Sequence, residues 1–386
     1  MRERVAIIGV GCSEIRSTTP GVSYKELMFE AAVKAYRDAG VDPRRDIDSF
    51  VTVAEDFWEG TSIFDEYVPD QLGAVMRPVQ TIAGDGLQGL IAASLQVLTG
   101  AIDVVAIEAH SKASNLLTLP SVVHFATDPT FARPLEAHPY FIAGLEMNRY
   151  LHETGTTKEQ CAWVVVKNRR NALDNPFAGY GALLQMEDVL NAEPLFAPLG
   201  LIEVAQPADG CLVVVLASEE AAKRLSETPI WIEGFGWSTD SPTLETRDWG
   251  GATYARLAAE MAYKMAGIRS PRREIDFAEV DDTFAYKELQ HLEAVRLAKR
   301  GEAGSMTEEG ATERDGVLPV NPSGGSLGVG HLLDASSLHR VVEAVRQLRG
   351  EAGRLQLKKA EVALVQSWRG VPTTSGAVVI LSNRER

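Results

Sequence analysis

The sequence is poor in cysteine, short of positive charge and without long apolar runs, and each shortage excludes a class of protein. Three cysteines in 386 residues, Cys12, Cys161 and Cys211, are spaced too widely for a disulfide framework or a zinc site and fit a reducing compartment. They read as small buried hydrophobes. A formal net charge of −15 argues against a nucleic-acid surface, which needs clustered Lys and Arg. The run Lys167-Asn168-Arg169-Arg170 is a local exception, able to hold a small phosphorylated ligand. No apolar stretch approaches the ~20 residues of a membrane span. Met1 leads almost at once into Val5-Ala6-Ile7-Ile8, so no secretory signal is expected and the expected location is cytoplasmic.

The composition, 45% hydrophobic and 24% charged, is that of a globular chain long enough for two domains. An internal repeat divides it. Val5 to Gly11 and Ile230 to Gly236 are apolar runs that each end in Gly-x-Gly. Ala31 to Val41 then matches Ala258 to Ile268, and Pro43 to Asp48 matches Pro271 to Asp276. Each pair reads as an amphipathic helix stopped by glycine, a proline turn and an apolar strand. Helices over Gly86 to Leu98 and Leu332 to Leu348, with strands over Ala101 to Ala109 and Glu361 to Ser367, extend the match. Two halves are predicted, 1–220 and 228–386, with a seam in Ser218 to Pro229. Segment 111–192, with His124, His138, Pro139 and Tyr140, has no counterpart and reads as an inserted region covering a site. Gly9-Val10-Gly11 is a poor dinucleotide loop, because Glu14 stands where a third glycine is needed.

One further stretch points to a family. Val320-Asn321-Pro322-Ser323-Gly324-Gly325-Ser326-Leu327-Gly328-Val329-Gly330-His331, together with the duplication and Ala208-Asp209-Gly210 before an apolar strand, resembles the thiolase superfamily. The closest branch is the sterol-carrier-protein-type (lipid-transfer) thiolases, whose segment after the covering loop Asn168 to Pro176 also resembles. The resemblance spans essentially the whole chain and implies a duplicated α/β fold in five layers, α-β-α-β-α. It implies a coenzyme A thioester as substrate with no covalently bound cofactor, no metal, a homodimer through the central sheets, and a possible OB-fold, zinc-ribbon partner protein.

The chain departs from that family where the chemistry is carried. Ala83 aligns with the acyl-accepting cysteine, with Gly84 or Asp85 in its place if the alignment slips. Ser367 stands in the last loop, where many thiolases carry a second cysteine. Leu332 replaces the usual proline after Gly330-His331. The resemblance therefore implies chemistry without an acyl-cysteine: retro-aldol cleavage of a β-hydroxyacyl-CoA, as in relatives that shorten steroid side chains. The alternative is a noncatalytic acyl-CoA-binding or scaffolding subunit.

Candidate residues follow. His331 is the donor to the thioester oxygen, in a loop where Ser323, Gly324, Gly325 and Gly330 let backbone approach the ligand. Asp281 is either a base or, with Asp282, the cap of a helix over Thr283 to Ala298. Tyr286 either delivers a proton or packs in the core. Asp85 either caps the helix from Gly86 or acts in the site. Phe57, Trp58, Phe64 and Tyr67, interspersed with Asp56, Glu59, Asp65 and Glu66, form a substrate wall or a subunit contact.

Overall fold

The computed structural model describes residues 4–55, 58, 63–371 and 374–384; Asp56, Phe57 and Glu59 lie outside them. The strands that build the site are β1 (Val5–Cys12), β2 (Ser49–Val53), β3 (Val79–Ile82), β4 (Val104–Lys112), β5 (Asp209–Ser218), β6 (Ile230–Thr239), β7 (Phe277–Glu279), β8 (Val362–Gly370) and β9 (Thr374–Ser382). The helices are α1 (Tyr24–Ala39), α2 (Gly86–Leu98), α3 (Pro139–Thr154), α4 (Lys158–Ala172), α5 (Thr253–Ala266), α6 (Ala285–Ala294), α7 (Gly325–Val329) and α8 (Ser336–Arg349).

Helix boundaries follow the local chemistry. Ser23 and Glu26 form a capping box at the start of α1, and Gly40 ends it at φ 67°. Gly267 ends α5 in the same left-handed conformation at φ 77°, the position a side chain disfavours. The Gly-x-Gly runs are explained by close packing. A Cβ on Gly9 or Gly11 would lie 2.1–2.9 Å from atoms of Ala31, Ala35 and Ala39, and one on Gly234 or Gly236 would meet Ala258, Ala262 and Ala266 at similar distances. Alanine every fourth residue makes a shallow stripe on α1 and α5, and the glycines let strands β1 and β6 press into it.

Nine strands pair in the order β3-β2-β4-β5-β1-β6-β9-β8-β7. The order is mirrored about β1 and β6, which join antiparallel over only three residue pairs, Val5 to Ile7 with Ile232 to Ile230. Val320 bridges Ala278 of β7, on the side where β3 flanks β2. This symmetry supports the proposal that 1–220 and 228–386 are repeats. Helices α2 and α8 touch each other and strands of both halves, whereas α1 lies on β1 and β5 and α5 on β6 and β9. The layers are α-β-α-β-α, the thiolase arrangement, with three apolar clusters: one around Met28 and Phe50, one around Leu90 and Val341 in the central helix layer, and one around Tyr254 and Leu289.

Three boundaries differ from the sequence reading. Strand β4 runs on through Lys112 to pair with Asp209, so the uncounterparted segment spans 113–208 rather than 111–192. In the second half only three residues separate the corresponding strands, which end at Gly370 and start at Thr374. The helix expected over Thr283 to Ala298 is only α6, because its N-cap is Phe284 and Arg296 takes a positive φ of 60°. The last helix starts at Ser336, after a 3-10 turn over Leu333–Ala335.

Candidate active site

The loop from Asn321 to His331 is held from below by a buried polar network. Asn321, at φ 48°, accepts a hydrogen bond on Oδ1 from Val280 N–H (2.8 Å) and donates from Nδ2 to Glu288 (2.7 Å). Asp282 accepts the Ser326 and Leu327 N–H groups at the start of α7 (2.6 and 3.1 Å). Ser323 binds Glu279 through both backbone and hydroxyl. The glycines are needed for fit here: a Cβ on Gly324 would meet Ala172, one on Gly325 Asp282, and one on Gly330 Ala208 at 2.5 Å. Ser323, Gly324, Gly325 and Gly330 are all buried in this packing and none lines the cavity. Their expected role as a surface against the ligand is corrected to that of scaffold for His331.

His331 emerges from the loop with its backbone clamped. Its N–H donates to Gln206 O (2.8 Å), and its carbonyl accepts from Ala208 N–H (3.0 Å). Nδ1 lies 3.2 Å from Ser336 Oγ, which also accepts the Leu332 N–H. A hydroxyl that accepts from Leu332 is free to donate to Nδ1, which leaves the imidazole proton on Nε2, toward the cavity. Burial pushes the His331 pKa down to about 4, against the pull of Asp281. The ring is therefore neutral near pH 7.

A cavity of about 100 Å³ opens beside this ring. Its polar wall includes His331, Glu55, Asp85, Asp334, Arg369, Thr283 and Trp58. Its apolar wall includes Leu119, Val123, Tyr140, Phe284 and Trp368, the first three from the inserted segment. That segment thus supplies part of the cavity wall. His138 instead caps α3, accepting the Tyr140 N–H on Nδ1 (3.1 Å), and His124 does not line the cavity.

Asp85 reaches the cavity while capping α2. Oδ1 accepts from Leu87 N–H (2.8 Å), Gln88 N–H (3.2 Å) and Ser337 Oγ–H (2.9 Å), and Oδ2 from Ser367 Oγ–H (2.8 Å). The two loops that align with the family's cysteines are thus joined by an Asp85–Ser367 hydrogen bond. Ala83 is exposed and lines a neighbouring open cavity of about 570 Å³ with Ile82, Gln88 and Trp237. Of Ala83, Gly84 and Asp85, the three candidates for the cysteine position, Asp85 is the one that lines the cavity with His331.

Asp281 is corrected on two counts. It caps no helix and does not line the cavity beside His331. Its carboxylate binds the buried Arg340 guanidinium (2.6 Å) and the Thr283 N–H (3.0 Å). Burial alone would raise its pKa, but Arg340, His291 and the Thr283 N–H hold it below the ordinary aspartate value. Such a committed carboxylate is a poor base. Tyr286 is fully buried, its hydroxyl 3.2 Å from Glu146, so packing accounts for it. The basic run is also spent internally: Lys167 pairs with Glu288 (3.1 Å), Arg169 donates to Tyr180 O, and Arg170 pairs with Glu313. Phe64 is core, edge-on to Tyr24 and tilted against His110, Tyr67 is exposed, and among the described residues of that run Trp58 lines the cavity.

All three cysteines are buried away from it. Burial raises the thiol pKa of each, that of Cys161 to about 12. The sequence reading missed Glu55, Asp334 and Arg369. Asp334 carried a signal, standing three residues beyond His331, but nothing local showed that Leu333 turns through φ 49° to bring both side chains to one cavity. Among the described residues no group of three or more His, Cys, Asp or Glu is arranged to hold a metal ion.

Comparison with known proteins agrees with this architecture. Residues 236–383 match the family model for the thiolase C-terminal domain. The acetyl-CoA acetyltransferase of Methanothermobacter thermautotrophicus is 30% identical, covering 98% of this chain and 99% of its own. The 17-hydroxy-3-oxo-4-pregnene-20-carboxyl-CoA lyase of Mycobacterium tuberculosis is 28% identical, over 96% and 98%. The solved Ltp2-ChsH2(DUF35) aldolase superimposes with a TM-score of 0.85 at 27% identity, over 98% and 97% of the two chains. On this likeness across nearly its full length, and on the layered fold and Gly-His loop, the chain belongs to the thiolase superfamily, in the branch that includes sterol carrier protein 2.

Proposed function

We propose that this acyl-CoA enzyme is a carbon–carbon lyase that cleaves a β-hydroxyacyl-CoA by a retro-aldol reaction, with no acyl-enzyme. The observation that carries the reading is a cavity holding a neutral His331 and three carboxyl groups but no cysteine. In such a reaction a base takes the β-hydroxyl proton, the Cα–Cβ bond breaks, and the β-carbon becomes a carbonyl. The electron pair moves into the thioester as an enolate, whose oxygen would accept from His331 Nε2–H. One donor so placed typically contributes about 3 kcal/mol to the barrier. An acyl-transfer reading lacks a thiolate: Ser367 Oγ is committed to Asp85, and a serine hydroxyl is a weak substitute for a thiolate.

The lyase and aldolase names among the similar proteins support this reading, and the M. tuberculosis lyase suggests a bulky acyl group. Ligand sites usually measure about 300–1,000 Å³, so on this reading the 100 Å³ cavity enlarges when a bulky acyl group binds. We extend to this chain the DUF35-type partner named with the aldolase neighbour. Leu117, Phe125 and Phe131 of the covering segment, each about two-thirds exposed or more, offer it an apolar surface. We also propose a homodimer through the half-exposed edge strand β3, since open edges invite pairing.

The test is incubation with 17-hydroxy-3-oxo-4-pregnene-20-carboxyl-CoA and with 3-hydroxy-3-methylbutyryl-CoA, with and without a DUF35 partner. Release of a ketone together with a shortened acyl-CoA supports the proposal. Acyl transfer to coenzyme A without ketone release contradicts it.

A further inference from the structure

Glu55 and Asp334 come from opposite halves of the chain and meet at the cavity wall. Glu55 follows β2, and Asp334 lies in the turn between His331 and α8. Asp334 Oδ2 accepts the Glu55 backbone N–H (2.9 Å), and Oδ1 accepts the Trp58 indole N–H (3.2 Å). Glu55 in turn pairs with Arg369. Both carboxyls are more than nine-tenths buried, and both line the same cavity as His331.

The charge count is unbalanced. Among the described residues the cavity wall carries three carboxyls, Glu55, Asp85 and Asp334, against one cation, Arg369, beside a neutral imidazole. Carboxylates crowded in a desolvated site do not all ionise; one keeps a proton. We propose that Glu55 and Asp334 share one proton and form the acid–base couple of this site, the carboxylate taking the β-hydroxyl proton and the carboxylic acid returning a proton to the enolate α-carbon. This rests on the lyase reading above. The step balances: the β-hydroxyl loses one proton, the α-carbon gains one, the Cα–Cβ electron pair becomes the new C–H bond, and exchange within the pair restores the starting state. No oxidant or further reactant is needed.

The protonation pattern agrees. Burial, then the neighbouring Glu55 charge, pushes Asp334 up to about 8 in spite of the Glu55 N–H, Arg369 and Trp58. Burial raises Glu55 as well, Arg369 opposing and Asp85 adding to the rise. The pair titrates as a unit.

Two measurements test the proposal. The first follows deuterium uptake at the α-carbon of propionyl-CoA in D₂O by mass spectrometry, which reads enolate formation without carbon–carbon cleavage. The second follows cleavage of 3-hydroxy-3-methylbutyryl-CoA to acetone and acetyl-CoA against pH. Asp334→Asn is expected to lower both rates by about 10²–10⁴, the usual contribution of general acid–base catalysis, with KM little changed and partial rescue in Asp334→Glu. Glu55→Gln is expected to slow both and to move the alkaline limb near pH 8 to lower pH, because Arg369 then faces Asp334 alone. Unchanged rates in a folded Asp334→Asn overturn the pair while the lyase reading stands. Should Asp334→Asn not fold, an unmoved limb in Glu55→Gln overturns it. Exchange in the wild type without cleavage, lost in both variants, supports the pair and overturns the lyase reading. A wild type that does neither overturns both.

Discussion

His331 owes its chemistry to three neighbours rather than to its own identity. Gly330, at φ 123°, turns the chain, the Gln206 to Ala208 segment fixes the backbone, and Ser336 sets the ring. His331→Ala is expected to lower kcat for β-hydroxyacyl-CoA cleavage by about 10²–10³ with little change in KM, as for deletion of one oxyanion donor; steady-state kinetics on the folded variant check this. Because the ring is already neutral above about pH 4, no acid limb near pH 6.5 belongs to it. Asp281 is tied to stability instead. Arg340→Ala leaves Asp281 buried without its cation, and breaking such a pair typically costs about 3–5 kcal/mol, readable by urea denaturation. The sequence exposed His331 through its glycine-rich approach, but it could not separate Asp281 from Asp334. Both are acids near the right loops, and only tertiary packing decides which meets Arg340 and which meets the cavity.

At the scale of elements, the repeated Gly-x-Gly strand and alanine-striped helix are one packing unit used twice. Gly11→Ala would place a Cβ 2.1 Å from the Ala31 carbonyl and 2.4 Å from Ala35 N. Both are backbone atoms that cannot step aside, so a loss of roughly 1–3 kcal/mol, the usual penalty of overpacking, is expected in chemical denaturation. Gly236→Ala should behave alike against Ala258, as the paired geometry demands. This layer of the fold was legible in the sequence because its determinants are local: period, glycine stops and caps. The short α6 was not, since the positive φ of 60° at Arg296 has no glycine or asparagine to announce it. Nor was the true extent of the insertion, because Ser111 and Lys112 pair with β5 some hundred residues away. Asp85 joins the two scales. Asp85→Ala removes both its cap, worth about 1 kcal/mol, and its link to Ser367, whereas Asp85→Asn keeps an acceptor for the cap. If Asp85 only caps, Asn should retain activity; a large loss of kcat in Asn with unchanged melting would place it in the chemistry.

For the whole molecule, the buried ionisable groups set how stability follows pH. Glu279 and Asp334 are both pushed up to about 8 by burial, while unfolded carboxyls titrate near 4. Between pH 6.5 and 8 the folded state therefore holds protons that the unfolded state has released, and stability falls as pH rises, by on the order of 1 kcal/mol per pH unit for each group. The buried His331 and His291, at about 4 and 3, act oppositely but only below about pH 6.5, where the unfolded rings take up protons first. Urea denaturation at pH 6.5 and 8 checks this, with lower stability expected at pH 8 and a shallower fall in Glu279→Gln. The same dense, partly protonated interior surrounds the proposed chemistry, and no thiol belongs to it. The most direct test of that central claim is the kcat for β-hydroxyacyl-CoA cleavage in a variant with Cys12, Cys161 and Cys211 all changed to alanine. Alkylating reagents would not serve, because every cysteine is buried. The account expects the folded variant to retain wild-type kcat with no acyl adduct in its intact mass; abolished turnover, or an acylated cysteine trapped in the wild-type protein, would contradict it.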